Sequence, residues 1–284
     1  MQNSDPPFPY TTGRHRTVID DARGLLTPGF GEIWAYRDLL GMLVWRDFLT
    51  RYRQSLLGIG WAIFRPLLSV LVFTVFTGIF RVNTGELPYP LFSLTGMIVW
   101  LYFSGTLASA TGSVVNSGAL LTKVYFPRLI LPLSSVLSGF ADVIIQLVLL
   151  ATMMLWYRTE FFWSLLLAPL FLGLCVFQSL SLGLWLTALN VRYRDIGQAV
   201  PFILQICFFA TPVLYPSSQV PVKWQTVYSL NPLVCTIEGF RWSVLGTAPP
   251  SVVMIASSSA MTCLVLVSGL YYFRRVEDYF ADTI

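Results

Sequence analysis

The sequence predicts an all-α integral membrane protein with six transmembrane helices, an N-terminal interfacial amphipathic helix, and re-entrant helices before the last span. Hydrophobic residues make up 55% of the 284-residue chain and charged residues only 11%, well below the roughly 25% charged of soluble domains. Apolar runs recur at about the 20 residues that a helix needs to cross a bilayer. Basic residues gather in alternate connecting segments, which is the pattern that orients a membrane protein.

The chain divides into a polar, proline-rich segment at residues 1–30 and a single transmembrane domain at residues 31–284. We expect the first segment to be a cytoplasmic tail. The six spans are expected at residues 56–80, 91–113, 129–156, 161–189, 196–215 and 252–273. Residues 216–250 contain apolar runs too short to cross, broken by Glu238 and Arg241, which indicates helices that dip part-way into the membrane from the outer side.

The interfacial helix is predicted at residues 32–53, where apolar and polar side chains alternate with helical spacing. Trp45 lies on the apolar side, and we expect Arg46, Arg51 and Arg53 on the other side to face anionic headgroups. An ion pair within the helix, Asp47 with Arg51, fits the i,i+4 spacing. The helix is either a plain membrane anchor or a lever moved by a partner.

Two polar residues fall inside predicted spans and call for a partner. Arg65 precedes Pro66 in the first span, where the proline is expected to kink the helix. Asp142 lies near the middle of the third span and is expected to face the protein interior. Its candidate partners are Arg65, Gln146 one turn on, or a hydroxyl of a neighbouring helix.

The charge distribution predicts that both termini are cytoplasmic. With that orientation, thirteen of the 18 basic residues fall on the cytoplasmic side and four outside, with Arg65 within a span. The net charge of +4 is spread by loop, so it does not indicate a nucleic-acid partner.

The chain lacks the sequence signatures of an enzyme. No Gly-Lys pair occurs, which excludes a P-loop for ATP, and one histidine cannot form a metal motif such as H-E-x-x-H. Asp142 is the one carboxylate well inside a span, whereas a membrane-embedded transferase acting on polyprenyl lipids would need an acidic cluster. We therefore expect no catalytic residue, no metal and no cofactor in this chain. The sequence favours a passage across the membrane, driven by a partner that hydrolyses ATP.

Four segments in order carry a resemblance to a known family: RDFLTRYRQSLLGIGWAIFRPLL, LLTKVYFPRLILPLSSVLSGFAD, ALNVRYRDIGQAVPFILQ and SLNPLVCTIEGFRW. They resemble the permease subunit of ABC exporters for lipid-linked polysaccharides, which covers O-antigen, capsule and teichoic-acid exporters. One departure is Arg65, which stands where this family has a glutamine. A permease of similar fold that exports drugs or lipids is the alternative.

The resemblance implies a homodimer in the bacterial cytoplasmic membrane that works with two copies of a separate ATPase, which would hold ATP and Mg²⁺. Among the possible cargo glycans, the resemblance favours O-antigen. It also places the first and fifth spans along the passage. Within these spans, aromatic side chains can offer a ring face to a sugar, and the passage candidates are Trp61, Phe64, Arg65, Phe208 and Tyr215. For each aromatic ring, a position facing lipid or the protein core is the alternative.

Two cytoplasmic segments would contact the ATPase by the same resemblance. The first is a loop containing Leu121, Lys123, Tyr125, Phe126 and Arg128. The second is a hinge containing Arg192, Arg194 and Asp195. Ordinary anchoring of positive charge at the cytoplasmic surface is the alternative role for both segments.

Overall fold

The computed structural model describes residues 30–53, 55–80, 87–121, 123–160, 162–277 and 280. Apart from Phe30, the predicted tail at residues 1–30 lies outside the described residues. The helices are α1 (Phe30–Ala35), α2 (Arg37–Tyr52), α3 (Gly60–Phe80), α4 (Tyr89–Asn116), α5 (Gly118–Leu121), α6 (Ile130–Ser138), α7 (Phe140–Trp156), α8 (Ala168–Arg192), α9 (Asp195–Phe209), α10 (Val222–Ser229), α11 (Pro232–Leu245) and α12 (Val252–Glu277). Two 3-10 turns, Trp163–Leu167 and Ser217–Gln219, precede α8 and α10.

Five segments of the described chain are long and apolar enough to cross a membrane. They are Gly60–Thr77, Tyr89–Asn116, Ile130–Trp156, Trp163–Arg192 and Val252–Glu277. They correspond to the predicted spans one to four and six. The described residues thus form helices and no strand, with membrane-length apolar segments, as the composition predicts.

Helix α9 is shorter than the fifth span predicted from the sequence. It ends at Phe209, whereas the apolar run continues to Tyr215. Its 15 residues extend about 22 Å, which is less than the hydrophobic thickness of a bilayer of about 30 Å. The next residues, 210–215, form turns, and Thr211, Pro212 and Val213 are buried.

Helix α4 forms the centre of the molecule. It packs most extensively against α8, and it also contacts α3, α6, α7, α9 and α11. In the membrane-length segment of α4, 78% of the residues are buried, whereas 17% are buried in the corresponding segments of α3 and α12. Close packing here depends on Gly96, because a Cβ at this position would lie 2.7 Å from the carbonyl oxygen of Val213.

Two predicted helices are interrupted. Tyr36 separates α1 from α2 within the interfacial helix, and Gly139 separates α6 from α7 within the third span. Asp142 therefore lies in the first turn of α7, near a helix break rather than in mid-helix. Neither break could be predicted from the sequence, because the helical pattern of residues continues through both positions.

Helix α2 lies against α6, and a turn around Gly58 connects it to α3. Gly58 has a φ of 50°, in the left-handed region that glycine adopts without steric cost. Met42 and Trp45 of α2 are exposed, while Leu43 is buried. The exposed apolar side of α2 agrees with a helix that rests on a membrane surface.

Candidate functional site

A polar cavity of about 350 Å³ opens between α2, α3, α4 and α7. We call it the Arg65 cavity. It is lined by Arg51, Tyr52, Trp61, Ala62, Arg65, Pro66, Leu101, Ser104, Gly105, Ser109, Asp142 and Gln146. The guanidinium carbon of Arg65 lies 5.7 Å from the ring centroid of Trp61, a distance at which a cation interacts with an aromatic face. Two of the predicted passage residues thus line one cavity.

Asp142 is bound by two residues from the end of α2. Arg51 donates from Nη1 to one carboxylate oxygen, and the Tyr52 hydroxyl donates to the other. Arg51 also donates from Nη2 to Ser138 Oγ at 3.0 Å. Burial and the hydrogen bond to Asp142 raise the pKa of Tyr52 well above its usual range, so the hydroxyl stays protonated and remains a donor.

This arrangement corrects two expectations about ion pairs. Asp142 pairs with Arg51 rather than with Arg65, and the hydroxyl from a neighbouring helix is that of Tyr52. Asp47 pairs with Arg46 at 2.7 Å rather than with Arg51, and it also accepts a hydrogen bond from Ser134 Oγ at 3.1 Å. Helix α2 turns Asp47 and Arg51 toward α6 and α7, where Asp47 accepts from Ser134 of α6 and Arg51 pairs with Asp142 of α7.

The arginines of α2 consequently differ in their surroundings. Arg51 is half-buried within the protein, so the expectation that it faces headgroups is wrong. Arg46 and Arg53 are exposed, as is Trp45. Their exposure is compatible with the predicted contact with the membrane surface.

A second polar cavity, of about 410 Å³, continues from the first along α4. We call it the Ser113 cavity. It shares Arg51 and Ser109 with the Arg65 cavity. Its other lining residues are mostly small and polar: Arg46, Asp47, Thr50, Ser113, Asn116, Ser117, Leu131, Ser135 and Ser138. Hydroxyl and amide groups along one side of α4 therefore line a continuous polar surface.

An apolar cavity of about 350 Å³ lies near the other end of α3. We call it the Tyr215 cavity. It is lined by Phe73, Phe76, Thr77, Tyr89, Phe209, Leu214 and Tyr215. The Tyr215 hydroxyl donates to the carbonyl oxygen of Phe209 at 2.8 Å and accepts from the Tyr228 hydroxyl at 3.3 Å. Thr77 is 12 residues beyond Arg65, about 18 Å along the helix.

The remaining two predicted passage residues support these cavities without lining them. Phe64 is exposed and meets Trp61 edge-on, with ring centroids 5.6 Å apart. Phe208 packs between Phe73 and Trp100, at centroid distances of 5.8 Å and 5.5 Å. Trp61 and Phe64 are three residues apart and therefore share a helix face, but this spacing does not show which ring borders open space.

Arg241, predicted in the outer re-entrant region, is 1% exposed. Its Nη2 donates to the carbonyl oxygen of Pro212 at 2.9 Å, and its guanidinium lies 3.7 Å from the ring centroid of Phe92. Glu238 pairs with it at 3.5 Å and also accepts from the Ser217 backbone N–H at 3.1 Å. The pair holds α11 to the irregular segment after α9, whose buried carbonyls need donors in a low-dielectric environment.

The loop between α5 and α6 is anchored at one end and exposed in its middle. Phe126 is buried in a cluster that includes Leu43, Val191 and Phe280. Arg128 donates from its backbone N–H to Glu277 at 3.2 Å. The exposed residues are Lys123, Val124 and Tyr125, while Leu121 is half-buried.

The hinge between α8 and α9 is also exposed. Arg192, Arg194 and Asp195 all face outward. Asn190, which the sequence did not single out, fixes this hinge: its Nδ2 donates to the Thr111 carbonyl at 3.0 Å, and its Oδ1 accepts from the Gly197 N–H at 2.8 Å. Because Val191 and Phe126 share one buried cluster, the hinge and the loop lie at the same end of the molecule.

Sequence reasoning also missed Gln178, which joins two elements. It donates to the Pro232 carbonyl at 3.1 Å and accepts from Thr236 Oγ1 at 3.0 Å, which ties α8 to α11. A glutamine in the middle of an apolar span is a signal of internal hydrogen bonding, because an unpaired amide is costly in lipid.

Comparison with known proteins places this arrangement in a family. The ABC-2 type transporter family matches residues 38–245. The O-antigen export system permease protein RfbA of Myxococcus xanthus is 30% identical over 256 residues, covering 89% of this chain and 98% of that protein. RfbA of Klebsiella pneumoniae is 26% identical, covering 87% and 95%, and the polysialic acid transport protein KpsM of Escherichia coli is 23% identical, covering 82% and 91%. The resemblance drawn from the four sequence segments is confirmed, and the chain belongs to the ABC-2 type transporter family.

Proposed function

We propose that this chain is the transmembrane permease subunit of an ATP-driven exporter that carries a lipid-linked polysaccharide, O-antigen first among candidates, across the cytoplasmic membrane. The observation that carries this proposal is the similarity over 89% of the chain to an O-antigen export permease. Polysaccharide transport or export also appears in the names of the other relatives. The family membership supports a transport role rather than an enzymatic one.

The proposed topology has six crossings and cytoplasmic termini in a bacterial cytoplasmic membrane. Helix α9 and residues 210–215 together form the fifth crossing, and α10 and α11 form the re-entrant region on the outer side. The charge distribution supports this orientation. The bonds from Arg241 to the carbonyls after α9 support it too, since irregular backbone within a membrane is tolerated where the protein satisfies it.

The proposed assembly contains two copies of this chain and two copies of a separate ATPase, which binds ATP and Mg²⁺. The ATPase would bind at one end of the molecule, where it would contact Lys123 and Tyr125 of the exposed loop and Arg192 of the hinge. The sparsely buried α3 faces the second copy across the passage. ATP binding would shift the loop and the hinge, and through them α2.

The cavities suit a polysaccharide in their chemistry. Hydroxyl and amide groups of the Arg65 and Ser113 cavities can exchange hydrogen bonds with sugar hydroxyls. Aromatic rings such as Trp61 and Tyr215 offer flat apolar faces with a polar edge, which match the two sides of a sugar ring. Weak, repeated contacts of this kind let a chain move along a passage without being trapped.

Deletion of the gene in its host tests the proposal. We expect surface polysaccharide to be lost, lipid-linked glycan to accumulate inside the cell, and both effects to be reversed by a plasmid copy. Analysis of the accumulated material identifies whether O-antigen, capsule or teichoic acid is the cargo. Unchanged surface polysaccharide in the deletion strain would contradict a role in glycan export.

A further inference from the structure

The apolar stripe of α12 continues past the end of the last span. Phe273, Val276 and Phe280 follow one another at intervals of three and four residues, which is the spacing of one helix face. Arg274 and Arg275 lie between them, and basic residues alone are enough to keep this end of a span at the cytoplasmic surface. A phenylalanine seven residues beyond Phe273, about two helical turns, therefore indicates a further role.

Phe280 is fully buried although it lies outside the membrane-length segment of α12. Its ring meets the ring of Phe273 edge-on, with centroids 5.3 Å apart. The guanidinium carbon of Arg128 lies 5.8 Å from the centroid of Phe280, within the range of a cation–aromatic contact. Glu277 accepts the backbone N–H of Arg128 at 3.2 Å. Two residues at the end of α12 thus contact the loop between α5 and α6, one at its backbone and one at a side chain.

This loop depends on its neighbours for a single conformation. Residues 124–127 have no regular secondary structure, and Val124 and Tyr125 are 49% and 73% exposed. Fixing such a segment costs conformational entropy. The buried side chain of Phe126 and the contacts of Arg128 offset that cost.

One buried cluster joins the loop to the hinge and to α2. We call it the Phe280 cluster, and it contains Phe280, Phe273, Phe126, Leu43 and Val191. Phe126 belongs to the loop, Val191 to the end of α8 before the hinge, and Leu43 to α2. Two segments that bind one partner must keep a fixed spacing. A close-packed interior maintains such a spacing because its side chains yield little.

We propose that Phe280 and Glu277 are positioning residues for the ATPase contact, which hold the loop between α5 and α6 in the conformation that the ATPase binds. This inference rests on the proposed function, because it takes the loop and the hinge as the ATPase contacts. Neither side chain touches the ATPase itself. Without them the loop adopts further conformations, and the apparent affinity falls with the fraction of chains in the competent one.

Hydrogen exchange in the purified full-length chain in detergent tests the effect on the loop. Phe280→Ala should raise the exchange rate in residues 123–128 about tenfold, because the loop opens more often. Phe280→Leu should raise it less, since it keeps most of the buried apolar volume. Glu277→Ala removes the acceptor of the Arg128 N–H and should also raise the rate, whereas Glu277→Gln keeps an acceptor oxygen and should exchange like the unaltered chain.

Phe171→Ala is the matched control. Phe171 is 3% exposed and packs against Trp242, and it precedes Val191 by 20 residues, about 30 Å along α8. Both alanine variants should lower the unfolding temperature, because each leaves a cavity, but only Phe280→Ala should affect the loop. Equal acceleration of exchange in residues 123–128 in both variants would overturn the proposal, as would an unchanged rate in Phe280→Ala.

Titration with the purified partner ATPase tests the effect on binding. We expect Phe280→Ala to bind the ATPase about tenfold more weakly and Phe171→Ala to bind it like the unaltered chain. Unchanged affinity in Phe280→Ala, despite faster exchange in the loop, would overturn the positioning role and leave the proposed function standing. If the unaltered chain binds no ATPase and its deletion leaves surface polysaccharide unchanged, the proposed function is wrong and this inference with it.

Discussion

The attachment of α2 to α7 through Asp142 predicts a measurable coupling between distant positions. The side chains of Arg51 and Asp142 are 25% and 20% exposed, so their contact is largely removed from solvent. Breaking a buried pair costs 3–5 kcal/mol, and partial exposure places this pair at about 3 kcal/mol or less. We expect Arg51→Gln and Asp142→Asn each to lower the free energy of unfolding by about 2–3 kcal/mol.

A double-mutant cycle isolates the interaction. The free energy of unfolding is measured in detergent for both single variants and for the double variant. The double variant should be about 1–2 kcal/mol more stable than the sum of the single effects predicts, because each removes the same contact. The cycle with Arg65→Gln and Asp142→Asn is the matched comparison and should give the smaller coupling, since Arg65 lines the cavity without bonding Asp142.

If the effects of Arg51→Gln and Asp142→Asn on the free energy of unfolding are strictly additive, the two side chains do not interact and the proposed ion pair is wrong. A larger coupling for Arg65 would reinstate Arg65 as the partner of Asp142.

Three further predictions concern the passage, the topology and the packing. Alanine at Trp61 or Tyr215 should lower glycan export while expression and assembly with the ATPase are unchanged; unchanged surface glycan in the double variant would remove both residues from the passage. A single cysteine in place of Lys223 should react with an impermeant maleimide added to intact cells, whereas one in place of Tyr125 should not, and the opposite pattern would invert the topology. Gly96→Ala should destabilise the fold by about 1–3 kcal/mol, because its Cβ would meet the Val213 carbonyl. Gly173→Ala, which has open space around it, is the control. Equal unfolding temperatures of the two variants would contradict this packing.

The class of protein and the approximate positions of the spans followed from the sequence because they depend on local composition. An apolar run of sufficient length has few alternatives to a membrane helix. The four family segments similarly needed no knowledge of contacts. The limits of single helices were less predictable: the apolar pattern continues past Phe209 and through Gly139, although the helices end or break there.

The partners of charged residues could not be predicted from spacing. Arg51 and Asp142 are 91 residues apart, and they meet because α2 lies against α6 and the turn at Gly58 returns the chain into α3. Arg65 was equally plausible from the sequence, since depth along a helix does not reveal which neighbour faces it. The roles of aromatic residues were ambiguous for a related reason: α3 is apolar on all sides, so periodicity does not separate a ring that lines a cavity from one that faces lipid.

Buried amides were a signal that the sequence offered, and of the three in this chain's described spans only Gln146 was considered from the sequence, as a candidate partner of Asp142. Gln146, Gln178 and Asn190 all lie in otherwise apolar helices and are almost fully buried. Gln178 and Asn190 satisfy their hydrogen bonds within the protein. The Oε1 of Gln146, by contrast, has no hydrogen-bond partner among the described residues.

Transport in reconstituted vesicles tests the central proposal most directly. The chain is reconstituted with the proposed partner ATPase. Lipid-linked glycan is supplied on the side where the ATPase is bound, and a glycan-specific lectin reports its arrival on the other side. We predict that the glycan crosses only when ATP, Mg²⁺ and both subunits are present, and that the chain alone neither hydrolyses ATP nor moves the glycan. Glycan crossing without the ATPase, or ATP-driven movement of phospholipid or drug with the glycan left behind, would contradict the account.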